Sequence, residues 1–320
     1  MKRREFLVAA ATLPVTLRFA PDALAGGVPL GLVTADTESR VAAVELSTGR
    51  ILRFIRTLPG PRSVESSLGT IAVVAHTQHG AVSLIDGPTL VVRHVLRDFG
   101  EPRYTAAHPD GRHAFVTDSR SGEVVSVDLV RGVALGRASL GGPARHVSIS
   151  PTGRTLWVSL GAKAERIAVV GVDRPGRPRL LQLVRPPFLA HDVGFAPSGR
   201  HVWVSSGDRG ALAVYDARSG RSLQRVPADA PPQHVTFLNG RAFVTSGDDG
   251  TLRVHSLSDG RILRTTRVPE GSYNVQQGWG VILTPSLDRG TLCIADARGR
   301  LLHRVQVAPS SHDACFVMSA

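Results

Sequence analysis

Two cysteines and two lysines in 320 residues are the scarcest features of this chain. Cys293 and Cys315 are far too few for a disulfide scaffold, and no CxxCH motif for covalent haem attachment is present. Aromatic residues make up 5% and no run of about 18 apolar residues occurs, which argues against a membrane span. There is no GxSxG elbow, no phosphate-binding loop and no dinucleotide fingerprint, so the hydrolase, nucleotidase and dehydrogenase classes marked by those motifs lack support. Beyond the N-terminus no segment keeps a helical period over ten residues. With 42% apolar residues the chain can bury a sizeable core, and it reads as a soluble protein.

The formal net charge is +12, and arginine carries it, since Lys2 and Lys163 are the only lysines. Many arginines follow a turn glycine, as in Gly49-Arg50, Gly111-Arg112, Gly153-Arg154, Gly199-Arg200 and Gly299-Arg300. That placement scatters charge over turns instead of gathering it into the stripe that a phosphate backbone needs, so nucleic acid is not the expected partner. A preference for anionic partners is the inference that survives.

Residues 1–25 read as an export signal and 26–320 as one domain. The segment KRREFLVAAATLPVTLRFAPDALA has a basic start, a short apolar stretch and a small-x-small site at Ala23-Leu24-Ala25. Arg3 and Arg4 with Phe6-Leu7 resemble a twin-arginine signal, which implies export to the periplasm or beyond. That route carries folded proteins, often with a cofactor already inserted, and so raises the expectation of a metal or haem-type group.

A short β-rich phrase returns seven times: GLVTAD, IAVVAH, HAFVTD, TLWVSL, HVWVSS, RAFVTS and GVILTP. Its shared step falls at Val33, Val74, Val116, Val158, Val204, Val244 and Leu283, at intervals of 41, 42, 42, 46, 40 and 39 residues. A period near 40 means one supersecondary unit copied and stacked, with four strands per copy in a propeller. Within a copy, strands of four to six residues alternate with Gly, Pro, Asp and Ser turns, the pattern of an antiparallel meander. The first copy lacks an innermost strand and the C-terminal SHDACFV supplies one, so residues 311–317 should complete the first blade and close the ring. The expected fold is an all-β, seven-bladed propeller of four-stranded antiparallel blades. In that frame Cys293 and Cys315 are buried free thiols on neighbouring blades. Asp86, Asp128, Asp216 and Asp296 serve turns, and Trp157 and Trp203 pack between blades.

The turns Pro109-Asp110-Gly111-Arg112, Pro151-Thr152-Gly153-Arg154 and Pro197-Ser198-Gly199-Arg200, each followed by a Val-Thr/Ser strand, resemble the YVTN-repeat (YncE-like) propeller family. The resemblance spans nearly the whole chain and is strongest over 103–260. It implies architecture; members include binding modules, lactone hydrolases and haem d1 carriers, so the fold leaves the function open.

The residue pair opening each innermost strand is the expected ligand mouth: Arg62-Ser63, Arg103-Tyr104, Arg145-His146, His191-Asp192, Gln233-His234, Tyr273-Asn274 and His312-Asp313. Arg62, Arg103 and Arg145 should share one arc and suit carboxylate or phosphate. His146, His191, His234 and His312 are candidate ligands for a metal or a haem-type iron. Asp192, Asp313 and Glu65 are the carboxylates expected near the rim, and His191-Asp192 with His312-Asp313 are the candidates for acid–base work. The expected function is a binding or carrier module that holds a small anionic ligand or an acidic protein segment. Ligand contacts are assigned to Arg62, Arg103, Tyr104, Arg145, His146, His191, Gln233, His234, Tyr273 and His312. The alternative is a periplasmic cofactor protein, or a lactonase or lyase, that uses the channel histidines.

Overall fold

The computed structural model describes residues 27–320, so the export signal expected at 1–25 lies outside the described residues. Seven four-stranded antiparallel sheets follow one another round a ring. The innermost strand of the first blade is Ala314–Ser319, paired with Val28–Ala35, and the next two are Arg40–Glu45 and Ile51–Arg56. The C-terminus therefore closes the ring as the surplus strand implied. The innermost strands of blades two to seven are Pro61–Ser67, Pro102–Ala107, Val147–Ile149, Ala190–Phe195, Val235–Leu238 and Gln276–Gly278. Each touches the next in order, back to the first. Among the described residues the only helical element is a single 3-10 turn, Thr77–His79.

The second and third strands of a blade are apolar on both faces because both faces are covered by neighbouring blades. Seven hydrophobic clusters result, one for each seam between blades. Trp157 lies in the seam between blades four and five, 5.6 Å from the Tyr215 ring, and Trp203 in the next, 6.0 Å from Phe237. Both cysteines are buried free thiols, Cys293 in the seam of blades six and seven and Cys315 in that of blades one and two. Asp86, Asp128, Asp216 and Asp296 each accept backbone N–H bonds from the turn that follows.

Every third–fourth strand pair carries a β-bulge. The extra residue increases twist at the outer edge of each blade, the only sheet edge that a closed ring leaves open, and makes it a poor template for pairing.

Candidate functional site

The innermost ladders skip the residues expected to form the mouth. In blade two pairing jumps from Pro61 to Ser63, in blade three from Pro102 to Thr105, and in blade five from Ala190 to Val193. Arg62, Arg103-Tyr104 and His191-Asp192 fall in those gaps. In the other four blades the strand begins only after the equivalent pair. Freed from the alternation of a strand, these residues turn toward the axis.

The repeated hydroxyl of the second strand holds them there. Thr117 Oγ1 accepts from the Tyr104 N–H (3.1 Å) and donates to the Arg145 carbonyl of the next blade. Ser205 Oγ accepts from the Asp192 N–H (2.9 Å) and donates to the Gln233 carbonyl (2.6 Å). Thr245 does the same for His234 and Tyr273, and Thr34 for Asp313 and Arg62. Ser159 Oγ lies 3.4 Å from His146 Nδ1. Blade two has Ala75 at this position, and Ser63 Oγ reaches the Arg103 carbonyl in its place. In four blades the hydroxyl that marks the repeat thus orders the site loop of its own blade and the start of the next, whereas that of Thr284 in blade seven is buried without a partner.

The residues so placed form a floor across the channel. Tyr104 and His146 rings sit 4.1 Å apart, His146 and His191 4.4 Å, His146 and His234 4.7 Å, and His191 and His234 5.5 Å. His146 is 1% exposed, so the channel is stopped at this level. Burial, then the neighbouring charges of His191, His234 and Arg145, hold the His146 imidazole well below its usual range, with the His191 backbone opposing weakly. Burial likewise takes His191 down to about 4 and pushes the Tyr104 phenol up to about 12. His146 and His191 are therefore neutral near pH 7.

His312 does not join this trio. Its Nδ1 bonds to the Arg62 carbonyl at 2.8 Å and approaches Asn274 Nδ2 at 3.3 Å, at the seam where the ring closes. Asp192 and Asp313 act as clamps between blades. Asp192 Oδ2 accepts from the Val235 N–H (3.1 Å), and Asp313 Oδ2 accepts from the Val64 N–H (3.0 Å).

Arg62 and Arg145 both act on the charge of Arg103. Arg103 is held below its usual value by burial and then by the charge of Arg145, with Arg62 adding to the effect. Two have acidic neighbours, Arg62 with Asp36 at 3.6 Å and Arg103 with Glu101. Gln233 Oε1 accepts from the Gly247 N–H (2.6 Å), and the Tyr273 hydroxyl donates to Asp248 (2.8 Å), so both form a side wall tied to one turn. The expectation that only Asp192, Asp313 and Glu65 bring carboxylates to this region is corrected by Asp36, Glu101 and Asp248. An acidic residue recurs in the turn after the second strand at Asp36, Asp208, Asp248 and Asp288, and that recurrence was the available signal.

A cavity of about 390 Å³ runs along the innermost strands away from the arginines, none of which lines it. Tyr104, His146, His234, Asn274 and Asp313 line its closed end, and its wall runs past Glu65, Ser148 and Gln276 to Leu68 and Pro109. None of Arg62, Arg103, Arg145, His191, Gln233, Tyr273 or His312 lines it. The sequence placed a single mouth at the start of the innermost strands; the structure has a cationic cup there and a separate cavity at the other end. Glu65 accepts from Gln276 Nε2 (3.0 Å), and burial raises its carboxyl to about 7.

A closed seven-bladed propeller, with a floor of aromatic and imidazole rings between a cationic cup and a cavity, is the class of protein that these observations define. The chain belongs to the PQQ_2 family, described as outer membrane protein assembly factor BamB, which matches residues 144–307, blades four to seven. No curated protein matches it in sequence. Among solved structures it is similar to a functionally unknown protein from Desulfotomaculum acetoxidans, at TM-score 0.79 and 13% identity over 90% of this chain and 98% of that one. It is also similar to Kuenenia stuttgartiensis hydrazine synthase, at TM-score 0.66 and 16% identity over 80% of this chain and 89% of that one. A third is dihydro-heme d1 dehydrogenase NirN in complex with DHE, at TM-score 0.63 and 18% identity. That match covers 88% of this chain and 64% of the NirN chain. At these identities the likeness is one of fold. No helix among the described residues is long and apolar enough to cross a membrane.

Proposed function

We propose that this protein is an exported, periplasmic binding propeller that holds a small carboxylate- or phosphate-bearing ligand in the cup formed by Arg62, Arg103 and Arg145. The observation that carries this is Arg145. Among the described residues it has no ion-pair partner, its Nε is buried without a hydrogen bond, and its charge, second to burial, lowers that of Arg103, whose Nε is also buried and unpaired. Asp36 and Glu101 pair with Arg62 and Arg103, which leaves Arg145 as the uncompensated charge, and a planar guanidinium fork binds an anion with directional bonds. Gln233 and Tyr273 form the neutral side of the cup. The Pro-x-Gly-Arg turns favour the YVTN subtype within the wider family, and the twin-arginine motif favours the periplasm.

A haem-type group, the other expectation and the one that NirN brings to mind, fits this site poorly. The donor types are suitable, with neutral imidazoles beneath arginines for carboxylates. However, the imidazoles pack against one another and against Tyr104, so a macrocycle on any one of them would occupy the place of its neighbours. Hydrolysis at the His-Asp pairs is disfavoured because both aspartates are already engaged with backbone N–H groups.

Calorimetric titration with succinate and with inorganic phosphate tests the reading. Replacing Arg103 and Arg145 together by alanine should weaken binding by about 100-fold or more, at roughly 1.5–3 kcal/mol per charged hydrogen bond, while the melting temperature stays nearly constant. Unchanged affinity in that variant, or no binding of either anion by the parent, overturns it.

A further inference from the structure

The three floor histidines come from three consecutive blades, His146 from the fourth, His191 from the fifth and His234 from the sixth. One ring nitrogen of each lies within 4.8 Å of those of the other two. In all three the Nδ1 edge is occupied: His146 by Ser159 Oγ at 3.4 Å, His191 by the Ala162 carbonyl at 2.9 Å, His234 by the Asp192 carboxylate at 3.4 Å. That leaves Nε2 as the free donor on each ring. His146 Nε2 is buried and meets no hydrogen-bond partner of good geometry. A buried ring nitrogen left unmatched is costly, and evolution normally supplies it with a partner.

An outer ligand on Nδ1 with a bare Nε2 is the arrangement in which metal-binding histidines are held, because the outer bond fixes the tautomer and aims the lone pair. We propose that His146, His191 and His234 form a mononuclear transition-metal site, with three imidazole Nε2 donors and an anion from outside the protein completing the coordination. An all-nitrogen donor set suits zinc, copper, cobalt or iron and not magnesium or calcium. Metal–nitrogen bonds of about 2.0–2.1 Å would draw the donors closer together through side-chain rotations. Asp192, beside His234, supplies a compensating negative charge. The arginines nearby disfavour a further neutral or cationic ligand and favour an anionic one.

A second grouping, His108, Asp110 and His113, shows the contrast. His108 Nε2 bonds to the Gly153 carbonyl (3.0 Å), and Asp110 accepts from His113 Nδ1 (2.7 Å) and from the Arg112 and His113 N–H groups. Those bonds complete a turn and leave nothing for an ion to satisfy.

The test is titration of metal-free full-length protein with cobalt(II), read by the visible d–d absorption and by metal content after gel filtration. One equivalent per chain with a tetrahedral-type band is expected. His191→Asn should weaken binding by 100-fold or more, and His146→Gln combined with His234→Gln should abolish it. The double variant His108→Asn/His113→Asn should bind like the parent. No stoichiometric cobalt in the parent, or loss only in the His108/His113 variant, overturns the proposal. Should a floor variant fail to fold by circular dichroism, protection of the parent's half-buried His191 from diethyl pyrocarbonate by cobalt decides in its place, and equal modification of His191 with and without metal refutes the site. This site is independent of the anion reading: the Arg103/Arg145 alanine variant should keep its cobalt even where phosphate binding is lost.

Discussion

The two ends of the channel, built from the same seven innermost strands, have opposite chemistry. At the start of those strands backbone pairing is interrupted, large functional groups converge, and positive charge accumulates around neutral imidazoles. At their far ends pairing is regular and the cavity wall is mostly small, with Glu65 as a carboxyl raised to about 7 by burial. The difference lies in whether the ladder includes the residue. A paired strand residue must alternate between the two faces of its sheet, whereas one skipped by the ladder can turn into the channel. The cup is therefore a property of interrupted pairing, and the cavity is the space left where pairing resumes.

The comparison breaks most severely if the clamp between the ends is removed. Asp313 accepts from the N–H groups of Val64 and Ala314 at the seam that closes the ring. Asp313→Ala leaves two buried donors unmatched, at about 1–3 kcal/mol each, and should lower stability by about 2–5 kcal/mol in a urea titration. Asp192→Ala frees the Val235 N–H and removes the longer 3.4 Å contact to His234 Nδ1, and should cost less, about 1–3 kcal/mol. Equal losses for the two would mean that closure of the ring adds nothing to the role of Asp313.

Acid and base should distinguish the ends next. His191 is held down to about 4 in the folded chain, from an ordinary 6.5, chiefly by burial. The unfolded chain therefore binds more protons between those values, and stability falls as pH drops from 6.5 toward 4. Glu65 has the reverse sign. Its folded carboxyl titrates at about 7 against 4.5 unfolded, so the folded chain holds the extra proton and stability falls as pH rises from 4.5 to 7. Each contributes at most about 3.5 kcal/mol, since one pH unit of displacement corresponds to about 1.4 kcal/mol. Melting temperatures across pH 4–8 should lose part of their acid limb in His191→Asn, the rest remaining with His146, His76 and His312, and part of their decline toward neutral pH in Glu65→Gln. A Glu65→Gln profile parallel to that of the parent would refute the assignment of that decline to Glu65.

The blades, ring closure, buried thiols and inter-blade tryptophans were legible because each follows from a period repeated seven times, which averages out local ambiguity. The residues that open the innermost strands were legible for the same reason, as a position instead of a motif. What escaped depends on contacts that no period encodes. Asp36 and Asp248 approach the cup from turns, and the division of the channel into cup and cavity depends on how tightly Tyr104, His146 and His234 pack together. His146, His191 and His234 are 45 and 43 residues apart in sequence, so only the curvature of the ring reveals that they meet while His312 stands apart at the seam.

The smallest expected effect tests the hydroxyl ladder that underlies the cup. Thr245 and Thr284 occupy the same position in neighbouring blades. The Thr245 hydroxyl accepts from the His234 N–H and donates to the Tyr273 carbonyl, joining blade six to blade seven. The Thr284 hydroxyl is buried without any partner. Replacement of threonine by valine keeps shape and removes only the hydroxyl. Thr245→Val should therefore cost about 1–2 kcal/mol, because it strands the groups that the hydroxyl served, and it should loosen the hold on His234 and weaken cobalt binding. Thr284→Val removes a hydroxyl that already lacks a partner, and its effect should lie between zero and a stabilisation of about 1 kcal/mol. A loss in Thr284→Val equal to that in Thr245→Val would show that the repeated hydroxyl marks strand packing in general and does not order the cup.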